Sequence, residues 1–152
     1  LSEKSVPFGE MLYGKGTVVK EMFFVVRGSM EYHDLADCEA PRLLISMGMW
    51  ACEAALWTAH AAVAGPFMAQ AAGADLTCVS GNRLREIVSR YSNTTMVLVA
   101  RYAAVFIRRF NRSQVMYDSR TRLFNNKKMI KQMVHICRLR TLGSKTFTSL
   151  LF

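Results

Sequence analysis

The sequence predicts an α+β fold, mainly β: an antiparallel β-roll followed by C-terminal helices. Three observations predict it. Glycines and turn residues recur at short spacing before residue 80, with β-branched or aromatic runs between them. From Ser80 onward the apolar period changes to that of a helix. The charge also divides, with 5 Lys/Arg against 9 Asp/Glu in residues 1–82 and 15 against 2 in residues 83–152, that is −4 and +13.

Each element follows in order. The runs Met11–Tyr13, Thr17–Val19, Phe23–Val26, Met30–Tyr32 and Leu43–Ser46 read as short strands. Asp34-Leu35-Ala36-Asp37 and Glu39-Ala40-Pro41 form a polar, Pro-bearing connection, after which the chain reverses into Leu43. Ala54 to Ala74 lacks Asp, Glu, Lys and Arg and is long enough to cross a bilayer. Its alanine content, the polar Thr58, His60 and Gln70, and the Gly65-Pro66 break rank a membrane span last. Leu84, Ile87, Val88 and Tyr91 then mark one face of a helix, with Ser80 or Asn82 as N-cap. Ser92-Asn93-Thr94-Thr95 separates it from a helix over Met96–Asn111, whose stripe is Val99, Tyr102, Ala103, Phe106, Ile107 and Phe110. Arg101, Arg108, Arg109 and Arg112 fall largely off that stripe. The helix is expected to pack back on the roll.

In domain terms, residues 1–112 form one unit, with the roll over about 7–79 and helices over about 82–111. Residues 113–152 read as a basic tail, partly helical or disordered, where Met129, Met133, Val134 and Cys137 mark one apolar face. The opening Leu1-Ser2-Glu3-Lys4 is polar, carries no signal peptide pattern and lacks an initiator Met, so the chain reads as a fragment of a longer one.

Several function classes are set aside by composition and spacing. The four cysteines, Cys38, Cys52, Cys78 and Cys137, form no CxxC pair and have no zinc-finger spacing, so they read as buried reduced thiols of a cytoplasmic protein. His33, His60 and His135 are far apart, and no Gly-x-Ser-x-Gly or Walker-type loop occurs, so no enzyme and no metal site are expected. A basic half fits an acidic protein or lipid surface. DNA is disfavoured, because no pair of short helices with a Gly turn follows Asn111.

The segment Gly9-Glu10-Met11-Leu12-Tyr13-Gly14-Lys15-Gly16, followed by Met22-Phe23-Phe24-Val25-Val26-Arg27-Gly28-Ser29-Met30-Glu31-Tyr32, resembles the opening strands of the cyclic nucleotide-binding domain superfamily. The likeness runs from about Pro7 to about Asn111, in the order β-roll, short helical turn, β-roll and two helices. It implies a cyclic nucleotide-binding-type roll that senses cAMP or cGMP. The family's phosphate-binding cassette, with a Phe-Gly-Glu-x-x-Leu core, matches Gly48-Met49-Trp50-Ala51-Cys52-Glu53-Ala54-Ala55-Leu56-Trp57. By that likeness Glu53 accepts from the ribose 2′-hydroxyl and Leu56 packs behind it. Ala51 stands for the family's aromatic residue and Cys52 for its glycine, while the small Ala54 and Ala55 permit a phosphate to approach helix N–H groups.

The family's phosphate-binding arginine has no counterpart, because no Lys or Arg lies between Arg42 and Arg83. His60 is the nearest residue able to become cationic, and its ordinary pKa of about 6.5 makes it a poor permanent substitute. Losing a charge-assisted partner costs about 1.5–3 kcal/mol, or about one to two decades of affinity. Tyr102, Phe106 and Ile107 are the expected lid over the base.

The wording around Glu53 looks most like the cytoplasmic C-terminal domain of voltage-gated, cyclic-nucleotide-type cation channels, which implies an effector in the same longer chain and homo-oligomers through it. The leading expectation is a non-catalytic cyclic nucleotide sensor in which nucleotide over Gly48–Leu56 closes the helix Met96–Asn111 onto the roll and that closure is transmitted to an attached effector; the alternative is a ligand-free interaction or gating domain whose pocket is filled by its own side chains. Plainer alternatives stand beside these roles. Glu53 can be a solvated acid, Trp50 and Trp57 core or rim aromatics rather than faces for a purine, the lid residues ordinary packing, and Arg108, Arg109, Arg112, Lys127, Lys128 and Lys131 a solvated face rather than one for lipid head groups or an acidic domain.

Overall fold

A computed structural model describes residues 1–33, 42–59 and 61–115 of the chain. The connection Asp34–Pro41, His60, Cys38, Cys137, His135, the face Met129–Cys137 and Lys127, Lys128 and Lys131 lie outside the described residues, as do the side chains of Arg109 and Arg112.

Strands β1 (Ser2–Val6), β2 (Met11–Tyr13), β3 (Glu21–Tyr32), β4 (Leu43–Ser46), β5 (Trp50–Ala51) and β6 (Phe67–Ser80) form one six-stranded antiparallel sheet. The order β1-β6-β3-β4 is its main path, with β2 on β6 and β5 on β3. Among the described residues the helices are α1 (Ala54–Trp57), α2 (Gly81–Ser89) and α3 (Asn93–Val115).

The long strands β3 and β6 pair from Glu21↔Ser80 to Tyr32↔Phe67, with register shifts between Val25 and Arg27 and between Gly28 and Met30. A side chain's face alternates along a strand, yet the buried set of β3 changes from Phe23 and Val25 to Met30 and Tyr32, from odd to even positions. On β6 it changes from Phe67 and Ala69 to Ala74, Leu76 and Cys78. Both changes occur at glycines with left-handed backbone, Gly28 (φ 74°) and Gly73 (φ 81°), beside register shifts in the β3–β6 ladder. A Cβ on Gly28 would lie 1.9 Å from the Gly73 carbonyl oxygen, so the two strands approach there only without side chains. This explains why Phe23–Val26 and Met30–Tyr32, expected as separate strands, are one: the glycine marks a bulge.

Inside the curl, Phe23 stands edge-on to Phe67 with centroids 5.5 Å apart, and Tyr32 packs on Phe67 at 4.7 Å. Val25, Met30, Ile45 and Leu76 fill the space around them, each at most 2% exposed.

Other boundaries shift as well. Thr17–Val19 forms no strand; it is tied to the segment before β6 by a Val18↔Ala62 bridge and the bonds Val19 N–H to Ala61 O and Val63 N–H to Thr17 O. Strand β1, ahead of the expected start of the roll, pairs Ser2–Val6 with Ala74–Cys78. The uncharged stretch from Ala54 divides into α1 and the start of β6, and no helix among the described residues is long and apolar enough to cross a membrane. Ser80 caps α2, its hydroxyl accepting from Arg83 N–H. Tyr91, expected on the α2 stripe, lies beyond the helix end and is 61% exposed. Helix α3 starts three residues before Met96, with Ser92 Oγ accepting from Thr95 N–H, and continues to Val115.

Candidate functional site

The segment from β4 to α1 is bound to the roll through main-chain bonds. Gly48 N–H donates to Val25 O, Val25 N–H to Met49 O, and Met49 N–H to Ser46 O. This holds β5 against Phe23 and Phe24 and delivers Cys52 to the start of α1.

Cys52 is 1% exposed and has φ 64°, the left-handed conformation that a glycine adopts freely. The turn therefore keeps a glycine-type backbone where the sequence carries a cysteine. Burial pushes its thiol well above the usual range, and Cys78 is shifted the same way, chiefly by burial. Both are free, and both stay protonated and poorly nucleophilic near neutral pH.

Glu53 follows with helical backbone (φ −56°, ψ −30°), but its side chain makes no capping bond to α1. The carboxylate faces sideways instead. Its Oε2 accepts from Trp50 Nε1 at 3.2 Å and its Oε1 from the Tyr102 hydroxyl of α3 at 2.6 Å. Glu53 is thus half-buried and bonded, not a freely solvated acid. Trp50 is steadied by Phe24, 5.9 Å away between ring centroids.

The next two amides are already used: Ala55 N–H donates to Cys52 O and Leu56 N–H to Glu53 O. Ala54 (1% exposed) and Ala55 (8%) point into the protein, into separate clusters. Leu56 is half-buried, and His60 lies outside the described residues.

Helix α3 docks on this turn through the cluster of Ala54, Ala61 and Phe106, with Trp57, Tyr102, Val105 and Phe110 around it. Tyr102, Phe106 and Phe110 recur every fourth residue, so they form a column on one helix face. Centroids are 6.4 Å apart for Tyr102–Phe106 and 6.1 Å for Phe106–Phe110, and Trp57 closes the column 5.8 Å from Tyr102. The fold thus brings Glu53, Ala54, Tyr102 and Phe106 together. Ile107, grouped with them from its spacing, is half-buried and stands outside this cluster.

Sequence reasoning missed Trp50 as a donor to Glu53, and it treated Tyr102 as an apolar lid. A signal existed for both. A buried Trp or Tyr seeks a partner for its polar end, and Trp50 stands three residues before the only carboxylate between Arg42 and Asp75.

Among solved structures, the chain is similar to the EAL enzyme Bd1971 in its halfsite-occupied form, at 17% identity over 74% of this chain and 97% of the other, with a TM-score of 0.59. It is also similar to a protein of a cyclic-GMP-dependent signalling pathway that regulates bacterial phytopathogenesis, at 20% identity over 74% and 83%, TM-score 0.55. The Thermus thermophilus catabolite activator protein matches at 14% identity over 77% of this chain and 53% of its own, TM-score 0.54. No protein-family model and no curated protein sequence matches the chain. At these identities the likeness speaks for the fold, and function has to come from the site. An antiparallel curled sheet, a short helical turn bearing Glu53 and two following helices give this chain a cyclic nucleotide-binding-type β-roll, the fold it shares with these structures.

Proposed function

We propose that the chain is a non-catalytic regulatory domain that senses a cyclic nucleotide, cAMP or cGMP, over Gly48–Leu56. It passes the resulting position of α3 to an effector in the same longer chain, a cytoplasmic domain of a cation channel being the favoured setting. The observation that carries this reading is the turn itself: a left-handed Cys52 followed by Glu53, with the carboxylate held between β5 and α3. A ligand hydroxyl that reaches Glu53 meets the same atoms that touch α3, so occupancy and helix position are linked. Nothing at this turn favours catalysis, since the buried thiol is held protonated.

The transmission step is tested by amide hydrogen exchange over residues 93–115 with and without saturating nucleotide. A change in protection along α3 is expected, and binding that leaves α3 protection unaltered contradicts the reading.

A second reading, a ligand-free interaction or gating domain, is favoured by a specific observation. Both Glu53 oxygens and the Ala55 and Leu56 amides are satisfied within the protein, and no Lys or Arg lies between Arg42 and Arg83. It expects no response of the folded protein to either nucleotide at millimolar concentration. The basic second half of the sequence then becomes the docking surface, for an acidic protein or lipid surface.

A further inference from the structure

We infer that Tyr102 sets the affinity of this site, its hydroxyl occupying the Glu53 carboxylate and thereby fastening α3 to the turn until a ligand hydroxyl replaces it. This deepens the sensor reading and borrows from it only the involvement of Glu53. A carboxylate has two oxygens with two acceptor positions each, and each oxygen of Glu53 already accepts one bond, Oε2 from Trp50 and Oε1 from Tyr102. The two donors differ in what holds them. Trp50 is three residues away on β5 with its ring against Phe24, and it stays in place whatever α3 does. Tyr102 comes from 49 residues along the chain, on a helix that meets the turn through one small apolar cluster. The exchangeable donor is therefore the tyrosine.

At 2.6 Å the Tyr102 bond has the length of a charge-assisted O–H···O⁻ contact. A ligand hydroxyl that takes the place of the Tyr102 hydroxyl on Oε1 gains the same kind of bond only by breaking this one, so that exchange lowers ligand affinity by about 10- to 100-fold relative to a carboxylate without Tyr102. The Tyr102 ring is also the meeting point of the column, packed on Trp57 on one side and Phe106 on the other. Moving the hydroxyl therefore disturbs the contacts by which α3 is docked. Displacement of the protein's own tyrosine and release of the helix are a single event.

Tyr102→Phe keeps the ring and the column and removes only the donor, while Glu53→Gln keeps the side chain's size and removes the charge. Two readouts separate the inference from the sensor reading. The first needs no ligand: amide exchange along α3 is expected to be about 10-fold faster in Tyr102→Phe than in the unmodified chain, and likewise in Glu53→Gln. The double variant should be no faster than Tyr102→Phe alone, because Glu53→Gln strips the charge from the same bond that Tyr102→Phe removes. Unchanged exchange in Tyr102→Phe, or additive effects in the double variant, overturns the inference. The second is calorimetric titration with cAMP and cGMP, in which Tyr102→Phe should bind at least about 10-fold more tightly than the unmodified chain. Equal or weaker binding by Tyr102→Phe overturns it. If no form binds either nucleotide while the exchange results hold, the Tyr102 contact stands and the sensor reading fails.

Discussion

A left-handed φ of 64° at Cys52 places a Cβ where L-residues lose about 1–2 kcal/mol. In ordinary extended or helical backbone, glycine is about 0.5–1 kcal/mol worse than alanine. At this position the order should invert. Cys52→Gly is expected to be more stable than Cys52→Ala by about 1 kcal/mol in urea denaturation, although it buries less; a more stable alanine variant would contradict the turn described here. Gly28 is the stricter case, because its Cβ would meet the backbone oxygen of Gly73 and no side-chain rotation can relieve the clash. Gly28→Ala should cost about 3 kcal/mol or more, read as a lowered urea midpoint. The residue types at both positions were visible in the sequence. That Cys52 keeps a glycine backbone was not, because φ is set by the bonds holding β5 on β3 and by the burial of α1, neither of which leaves a local pattern.

The element on which function turns is α3, and its docking rests on few side chains. Phe106 is 6% exposed and joins Ala54 and Ala61 in the small cluster beneath the helix. Phe106→Ala should destabilise the protein by about 3 kcal/mol and raise exchange along α3 more than along β3 or β6. Uniform acceleration across all elements would instead mean that α3 and the roll unfold as one unit. The apolar stripe of α3 was legible because its spacing of three and four survives any tertiary context. Strand β1 was not, since Ser2-Glu3-Lys4-Ser5 has a polar composition and becomes a strand only by pairing with Ala74–Cys78. Thr17–Val19 erred the other way: its β-branched residues suggested a strand, but its partner segment offers a single bridge.

At the scale of the whole molecule, several groups are shifted in the same direction. Burial raises the Cys52, Cys78 and Tyr13 pKa values, and the hydrogen bond to Glu21 raises that of Lys4. Each folded-state value lies above its unfolded one, so the folded protein retains protons that the unfolded chain gives up. The stability these groups contribute is fully present below about pH 9, where an unburied thiol begins to ionise, and it is lost as pH rises further. The urea midpoint should fall steadily from about pH 9 upward, and a flat profile would contradict the burial of the thiols.

Most of the roll and its two following helices was legible at this scale, because glycine punctuation and a change of apolar period are properties of the chain itself. The site was legible only in part. Glu53 stood out by its register, whereas its engagement by Tyr102 joins positions 49 apart and depends on how α3 lies on the turn.

The claim of cyclic nucleotide sensing is tested most directly by calorimetric titration of the folded chain with cAMP and with cGMP, repeated on Glu53→Gln. Saturable binding of at least one nucleotide, weakened about 10-fold or more by that substitution, is the expected result. No heat with either nucleotide at millimolar concentration, from both the unmodified chain and Tyr102→Phe, would contradict it and leave the ligand-free docking domain as the function of this fold.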